Sequence, residues 1–428
     1  MIAKNSEIRR ISHWIDGKVW DRPAQRTGEV YDPTTGRVTG LVDLADPGDV
    51  DQAVEAALRA FATWRDVSLA RRTAVLFRFR ELLAAKVNEM AAVISEEHGK
   101  VLADAAGEVQ RGLEVVEFAC GIPHLLKGDY SENASTKVDV FTVRQPLGPV
   151  AVISPFNFPA MVPLWFVPIA IACGDTVVLK PSEKDPSAAL LIARLWAEAG
   201  LPEGVFNVVH GDKVAVDRLL EHPHVKAVSF VGSTPIARYV YATAAAAGKR
   251  VQALGGAKNH MVVLPDADLD LAADAAINAG FGSAGERCMA ISVLVAVEPV
   301  ADPLIAKIKD RMRGLRVGDG RRGCDMGPLI TRAHRDRVAA YLDAGVASGA
   351  ELVVDGRNHP IDGDPDGFWL GPTLFDRVTP EMSIYTDEIF GPVLSVVRVR
   401  TYQEALDLVN ANPYGNGTAI FTHDGGAR

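Results

Sequence analysis

The chain of 428 residues is poor in cysteine, in long apolar runs and in clustered positive charge. Its four cysteines, at 120, 173, 288 and 324, are too few and too irregularly spaced for a disulfide framework or a Cys-x-x-Cys metal site. A reducing compartment, the cytoplasm, fits that usage, and no metal is expected. No run of lysine and arginine exceeds a pair and the net charge is −9. Phosphate-backbone binding needs a basic face, so no nucleic-acid partner is expected. The opening stretch MIAKNSEIRRISHWIDGK lacks the apolar core of a signal peptide. The longest apolar stretch, FPAMVPLWFVPIAIAC (158–173), has 16 residues and three prolines. A membrane span needs about 20. The stretch predicts a buried helix, and no membrane is expected.

What is present is a long α/β pattern. At this length two or three domains are expected. From about 150 to 265 the short runs PVAVIS, TVVLKPS, VFNVVHG, AVSFVGS and HMVVLP alternate with helical stretches such as PSAALLIARLWAEAG and TPIARYVYATAAAAG. Buried strands alternating with amphipathic helices predict a parallel α/β sheet. Residues 50–100 have helical periodicity, and ASTKVDVFTVRQP (134–146) has the look of an extended excursion from the main sheet. A second α/β pattern begins after 265 with the helix DLDLAADAAINAGFGSAG and continues through LVAVEPV, ADPLIAKIKDRMRGL and SVVRVR. GDGRRG (318–323) matches G-x-G-x-x-G, but no helix opens from it and the next helical pattern starts near Thr331. It predicts a surface turn rather than a dinucleotide loop.

Several segments stand where strands end. SPFNFP (154–159) carries Asn157, VLKPSE (178–183) carries Lys180 and Glu183, and FVGSTPIA (230–237) leads into a helix. Ligands of open parallel sheets bind at the carboxyl ends of strands. Alone, each segment has a plain reading: a turn asparagine, a solvated lysine, and for Cys288 a small buried filler.

Taken in order, PFNFP, VLKPSE, FVGST, LGGAKNH, FGSAGERCMA and EIFGPV (388–393) resemble the aldehyde dehydrogenase superfamily over nearly the whole chain. The resemblance implies an α/β fold of three parts. These are a Rossmann-like NAD-binding domain (1–125 and 147–254), a small oligomerisation flap (126–146) and an α/β catalytic domain (255–428). It implies Cys288 as nucleophile, with Asn157 and the Cys288 amide as donors to the oxyanion. A neighbouring cation, Arg287, favours the thiolate. Lys180 and Glu183 are implied to hold ribose hydroxyls, a carboxylate there favouring NAD over NADP. Ser233 would bind pyrophosphate with the helix behind it. Ser154, Phe156, Lys184 and Gly255 are further implied cofactor contacts. Glu388 would contact the nicotinamide ribose, the alternative being a carboxylate that caps a helix. Ala237 departs from the glycine the family often has there.

Hydrolytic members carry a glutamate in E-L-G-G-K. Aligned on Lys258, its position is Leu254, and VQALGGAKNH holds no carboxylate. Loss of a general base typically costs about 10²–10⁴ in rate, whereas a thiol needs far less help. The acceptor implied is coenzyme A. LGGAKNH with GSAGERCMA is similar to the methylmalonate-semialdehyde dehydrogenase subfamily, which acylates coenzyme A. The implied substrate is malonate or methylmalonate semialdehyde, with decarboxylation to acetyl-CoA or propionyl-CoA and a place in valine or inositol catabolism. Arg111 and Arg287 are implied to bind the substrate carboxylate. The family assembles as a homotetramer. Its members continue past FTHDGGAR with a segment lining the substrate funnel and a terminal strand, so the resemblance implies a catalytic domain incomplete at its C-terminus. An ordinary hydrolytic dehydrogenase and an inactive NAD-binding remnant are the alternatives.

Overall fold

The computed structural model describes residues 8–427; the first seven residues of the stretch read above for a signal peptide lie outside the described residues. The chain divides into two compact units. One takes the chain up to Val30, Val38–Glu97 and Ala105–Gly255; the other takes Tyr31–Arg37, His98–Asp104 and everything from Gly256 on.

The first unit is built on a seven-stranded sheet in the order Arg250–Leu254, Ala227–Val231, Pro149–Ile153, Thr176–Lys180, Phe206–Val208, Trp14–Ile15, Lys18–Val19. The first five strands are mutually parallel. Pro149–Ile153 and Thr176–Lys180 are buried at every position, which is why they read as unbroken apolar runs rather than as alternation. From Pro149–Ile153 the chain builds outward in one direction through Thr176–Lys180 and Phe206–Val208. It then returns to lay Ala227–Val231 on the other side. That reversal is a topological switch point, where open α/β sheets bind ligands.

The apolar stretch forms the helix Met161–Cys173, with Pro168 inside it and Gly174 closing it at φ 95°. Among the described residues no helix is long and apolar enough to cross a membrane. Tyr130–Ser135 and Val138–Phe141 make an antiparallel hairpin in which every residue is exposed.

The second unit holds a six-stranded sheet in the order Glu351–Val354, Thr373–Asp376, Val393–Val399, Ile291–Val297, Asn259–Val263, Thr418–Phe421. All pairs are parallel except the outer Glu351–Val354 with Thr373–Asp376. The sequence pattern placed HMVVLP at the end of the first sheet; it is instead a central strand of the second, paired with Ile291–Val297. A fully buried run reports burial and not the identity of its neighbour. GDGRRG is a turn: a single 3₁₀ turn at Gly320–Arg322, with the next helix beginning at Arg332. The helix predicted through GSAG stops at Phe281, because Ser283 and Ala284 take φ of 48° and 52°.

Candidate active site

In the second unit Cys288 sits on the loop between the helix Leu269–Phe281 and the strand Ile291–Val297. Three successive residues before it, Ser283, Ala284 and Gly285, are left-handed. For the serine and the alanine that conformation costs about 1–2 kcal/mol each, so the loop persists only because it is tied down. Asp104 provides one set of ties. Its Oδ2 accepts from the Ser283 amide (3.0 Å) and hydroxyl (3.2 Å), and its Oδ1 stands 2.7 Å from Arg287 Nη2. Glycine is needed at 285, where φ is 73° and a Cβ would collide with the Gly391 carbonyl; at 282 a Cβ would push against the Arg287 guanidinium. The Cys288 carbonyl accepts from the side-chain amides of Asn259 (2.9 Å) and Asn416 (3.0 Å).

Half-buried Cys288 lines a small pocket with Arg287, Asn259, Glu388 and Phe390. Burial raises the Glu388 carboxyl pKa, opposed by the Ala257 amide that donates to it at 3.0 Å and by the charge of Lys258. Glu388 thus caps a loop amide rather than a helix. Lys258 is buried, its Nζ donating to the carbonyls of Ile384 (2.9 Å) and Asp387 (2.7 Å). Burial lowers its pKa to about 8, against the pull of Asp387 and Glu388. Burial raises the thiol pKa at Cys120, Cys173 and Cys324, the reverse of what activates a nucleophile. Among the described residues no cluster of His, Cys, Asp and Glu could hold a metal ion.

The first unit carries the remaining sequence-derived positions. Ser154, Phe156 and Asn157 follow the strand Pro149–Ile153 at the switch point. Asn157 is buried, and the Ser154 hydroxyl is buried with no hydrogen-bond partner among the described residues. Lys184 Nζ lies 4.8 Å from the centroid of the Phe156 ring. Lys180 is buried rather than solvated: its Nζ donates to the Gly211 carbonyl (3.0 Å) and stands 3.6 Å from the Glu183 carboxylate. Burial lowers its pKa, with Glu183 opposing. The Glu183 side chain is 39% exposed, which leaves oxygens available to a ligand. Across the switch point Ser233 stands at the N-cap of the helix Thr234–Ala246, and its hydroxyl bonds none of the helix amides. A helix N-terminus at that place carries the positive end of the helix dipole, which favours an anion. Gly255 faces that helix start: a Cβ there would stand 3.2 Å from Thr234 Oγ1 and 3.7 Å from the Ala237 methyl. A buried hydroxyl without a partner among the described residues, an accessible carboxylate and a helix N-terminus at a switch point fit a dinucleotide. Arg111 is exposed, its guanidinium 5.7 Å from the centroid of the Phe158 ring.

Within the second unit, then, Arg287, Cys288 and Glu388 meet at one pocket, and the other positions belong to the first. Sequence reasoning missed Asp104, which engages Arg287, and the buried Glu286 two residues before the cysteine. Asp104 gives no local signal, because its partners are remote in the chain. Glu286 stood in view in GERC, a carboxylate where a small-residue cluster needs none.

The aldehyde dehydrogenase family profile matches residues 20–427. A malonate-semialdehyde dehydrogenase of Pseudomonas aeruginosa is 58% identical over 404 residues, 94% of this chain and 81% of that protein. Among solved structures, a Sinorhizobium meliloti protein assigned as a methylmalonate-semialdehyde dehydrogenase and complexed with NAD superposes with a TM-score of 0.97 at 52% identity, covering 99% of this chain and 86% of that one. A methylmalonate-semialdehyde dehydrogenase of Oceanimonas doudoroffii gives 0.96 at 54% identity, covering 98% and 86%.

Proposed function

Because this chain belongs to the aldehyde dehydrogenase family, we propose that it oxidises malonate or methylmalonate semialdehyde through a thioester on Cys288 and hands the acyl group to coenzyme A. It is an NAD-dependent oxidoreductase acting on a semialdehyde acid. The Cys288 thiolate adds to the aldehyde carbon, and the oxyanion formed takes hydrogen bonds from the Cys288 amide and the Asn157 side chain. Each such donor is typically worth about 3 kcal/mol of barrier. Bound NAD supplies the acceptor for the hydride that leaves as the thioester forms. Glu183 and Lys180 hold a ribose, Ser233 and the amides behind it hold pyrophosphate, and Glu388 orients the nicotinamide ribose. Ser154, Phe156, Lys184 and Gly255 shape the rest of that crevice. Arg111 meets the substrate carboxylate, and Arg287 meets it with the part of its fork that Asp104 leaves. A β-carboxylate leaves as CO₂, its electrons passing to the thioester carbonyl, and a proton replaces it before thiol transfer.

The observation that carries the choice of acceptor is what stands where a base would. The position of the hydrolytic glutamate is Leu254, and the only carboxylate among the residues lining the Cys288 pocket, Glu388, already holds an amide. Water lacks a base there, whereas a thiol arrives with thiolate already present at neutral pH. The exposed apolar side chains of Tyr130, Val138, Val140 and Phe141 on the hairpin favour a homo-oligomer, a tetramer as in the family. The acidic charge and free cysteines favour a cytoplasmic enzyme of small-molecule metabolism, in valine or inositol breakdown, without nucleic-acid or membrane partners.

Product analysis with malonate semialdehyde and NAD tests the reading. Acetyl-CoA and CO₂ in step with NADH are expected when coenzyme A is present. Free acid formed at the same rate with or without coenzyme A would make the enzyme an ordinary hydrolytic dehydrogenase.

A further inference from the structure

Beneath the nucleophile's loop lies a polar cluster that the chemistry above does not use. Glu286, His98 and Lys100 are almost completely inaccessible, and His334 is 9% exposed. Glu286 Oε1 accepts from the Ile330 amide (3.2 Å) and lies 3.4 Å from His334 Nε2; its Oε2 lies 3.7 Å from His98 Nε2. Burial, reinforced by Lys100, drives the His98 pKa well below its ordinary value, so His98 is neutral. Such a cluster is costly to bury, and replacing it by apolar residues is often neutral or stabilising. Packing does not explain it.

The hydrogen bonds of His334 settle its tautomer. Arg337 Nη2 stands 3.0 Å from His334 Nδ1, and because a guanidinium only donates, Nδ1 accepts. The Nε2–H is therefore the donor, and it points at the Phe390 carbonyl, 2.7 Å away. Phe390 is strained, with φ of 61°, and belongs to the turn that carries Glu388. The same turn touches the nucleophile's loop at a second place, where Gly285 leaves no room for a Cβ against Gly391. Both stretches line the Cys288 pocket.

We propose that Glu286 and His334 form a positioning clasp, in which the carboxylate orients the imidazole and the imidazole N–H grips the Phe390 carbonyl, holding the Glu388–Gly391 turn in place against the loop of Cys288. Neither residue touches the reacting atoms. Glu286 is two residues from the nucleophile and Phe390 two from Glu388, and both the carboxylate (3.4 Å) and the Phe390 carbonyl (2.7 Å) lie against the one Nε2–H of His334, so a single imidazole ties both walls of the pocket. The inference rests on Cys288 as nucleophile, as proposed above, but not on the semialdehyde or on coenzyme A.

The test compares His334→Leu, His334→Gln and Glu286→Gln in the intact chain, with propanal and NAD as well as malonate semialdehyde. Glutamine at 334 can present an amide N–H where Nε2 stood. A shift of about 1 Å in a reacting group can cost about 100-fold. His334→Leu is therefore expected to slow NADH formation on propanal by ten- to a hundredfold, with KM for the aldehyde and the affinity for NAD changed less than threefold. His334→Gln should recover to within about threefold of the wild type. Glu286→Gln, which keeps an acceptor for Ile330 and loses the charge, should fall between them. Equal impairment by leucine and glutamine at 334, or a Glu286→Gln enzyme at the wild-type rate, would overturn the clasp. Judging it on propanal keeps this result separate from any failure on malonate semialdehyde.

Discussion

Arg287 stands beside Cys288 in the chain, yet Asp104 already holds one arm of its guanidinium at 2.7 Å. Arg111 is exposed and has only the Phe158 ring beneath it. Its substitution is the cleaner probe of substrate recognition, because removing Arg287 would also strand a carboxylate that ties Ser283. Losing a charge-assisted hydrogen bond costs roughly 1.5–3 kcal/mol, or about ten- to a hundredfold. Arg111→Leu should reduce kcat/KM by that factor on malonate semialdehyde and leave propanal within about threefold. A uniform loss on both aldehydes would place Arg111 outside the substrate site. At this scale the sequence was most legible where an unusual residue stands among small ones, as Cys288 does at the pocket it shares with Arg287 and Glu388. It was least legible where the partner of a side chain lies far along the chain: nothing near Asp104 announces Arg287, and nothing near His334 announces Glu286.

At the scale of elements, the segments proposed to bind the cofactor could be placed because strand ends have local signatures. PFNFP and VLKPSE follow wholly buried strands and FVGST ends one whose burial alternates, and each does close a strand of the first sheet. The loop before Cys288 could not be read, because helical periodicity runs on through GSAG and only tertiary ties enforce the left-handed residues there. Lys258 shows the energetic side of such ties. Its buried amine fixes the Ile384–Asp387 segment ahead of Glu388, and its pKa falls from 10.5 to about 8. Between those values the unfolded chain binds the proton that the folded chain lacks, so the folded state gains as pH rises through that window. Measured against Lys258→Met, wild-type stability should rise from pH 8 to pH 10.5, by up to roughly 3 kcal/mol at one pKa unit per 1.36 kcal/mol. Urea unfolding of both proteins at the two pH values checks it. An identical stability difference at both would mean that the amine titrates as an exposed lysine does.

For the whole molecule, composition and alternation indicated two α/β layers of organisation, and two compact units each carry a largely parallel sheet. What alternation could not supply was the assignment of Asn259–Val263 to its sheet, since buried strands of either unit look alike until their partners are known. The central proposal is that the acyl group waits on Cys288 for a thiol. Rapid mixing of enzyme, NAD and malonate semialdehyde without coenzyme A tests that most directly, followed by NADH absorbance. The expected result is a burst approaching one NADH per chain and then a rate slower by about 10² or more, for want of a base. Coenzyme A should restore steady turnover, and Cys288→Ala should abolish the burst while NAD still binds. Steady NADH formation at the full rate without coenzyme A, or a burst that survives in Cys288→Ala, would contradict the account.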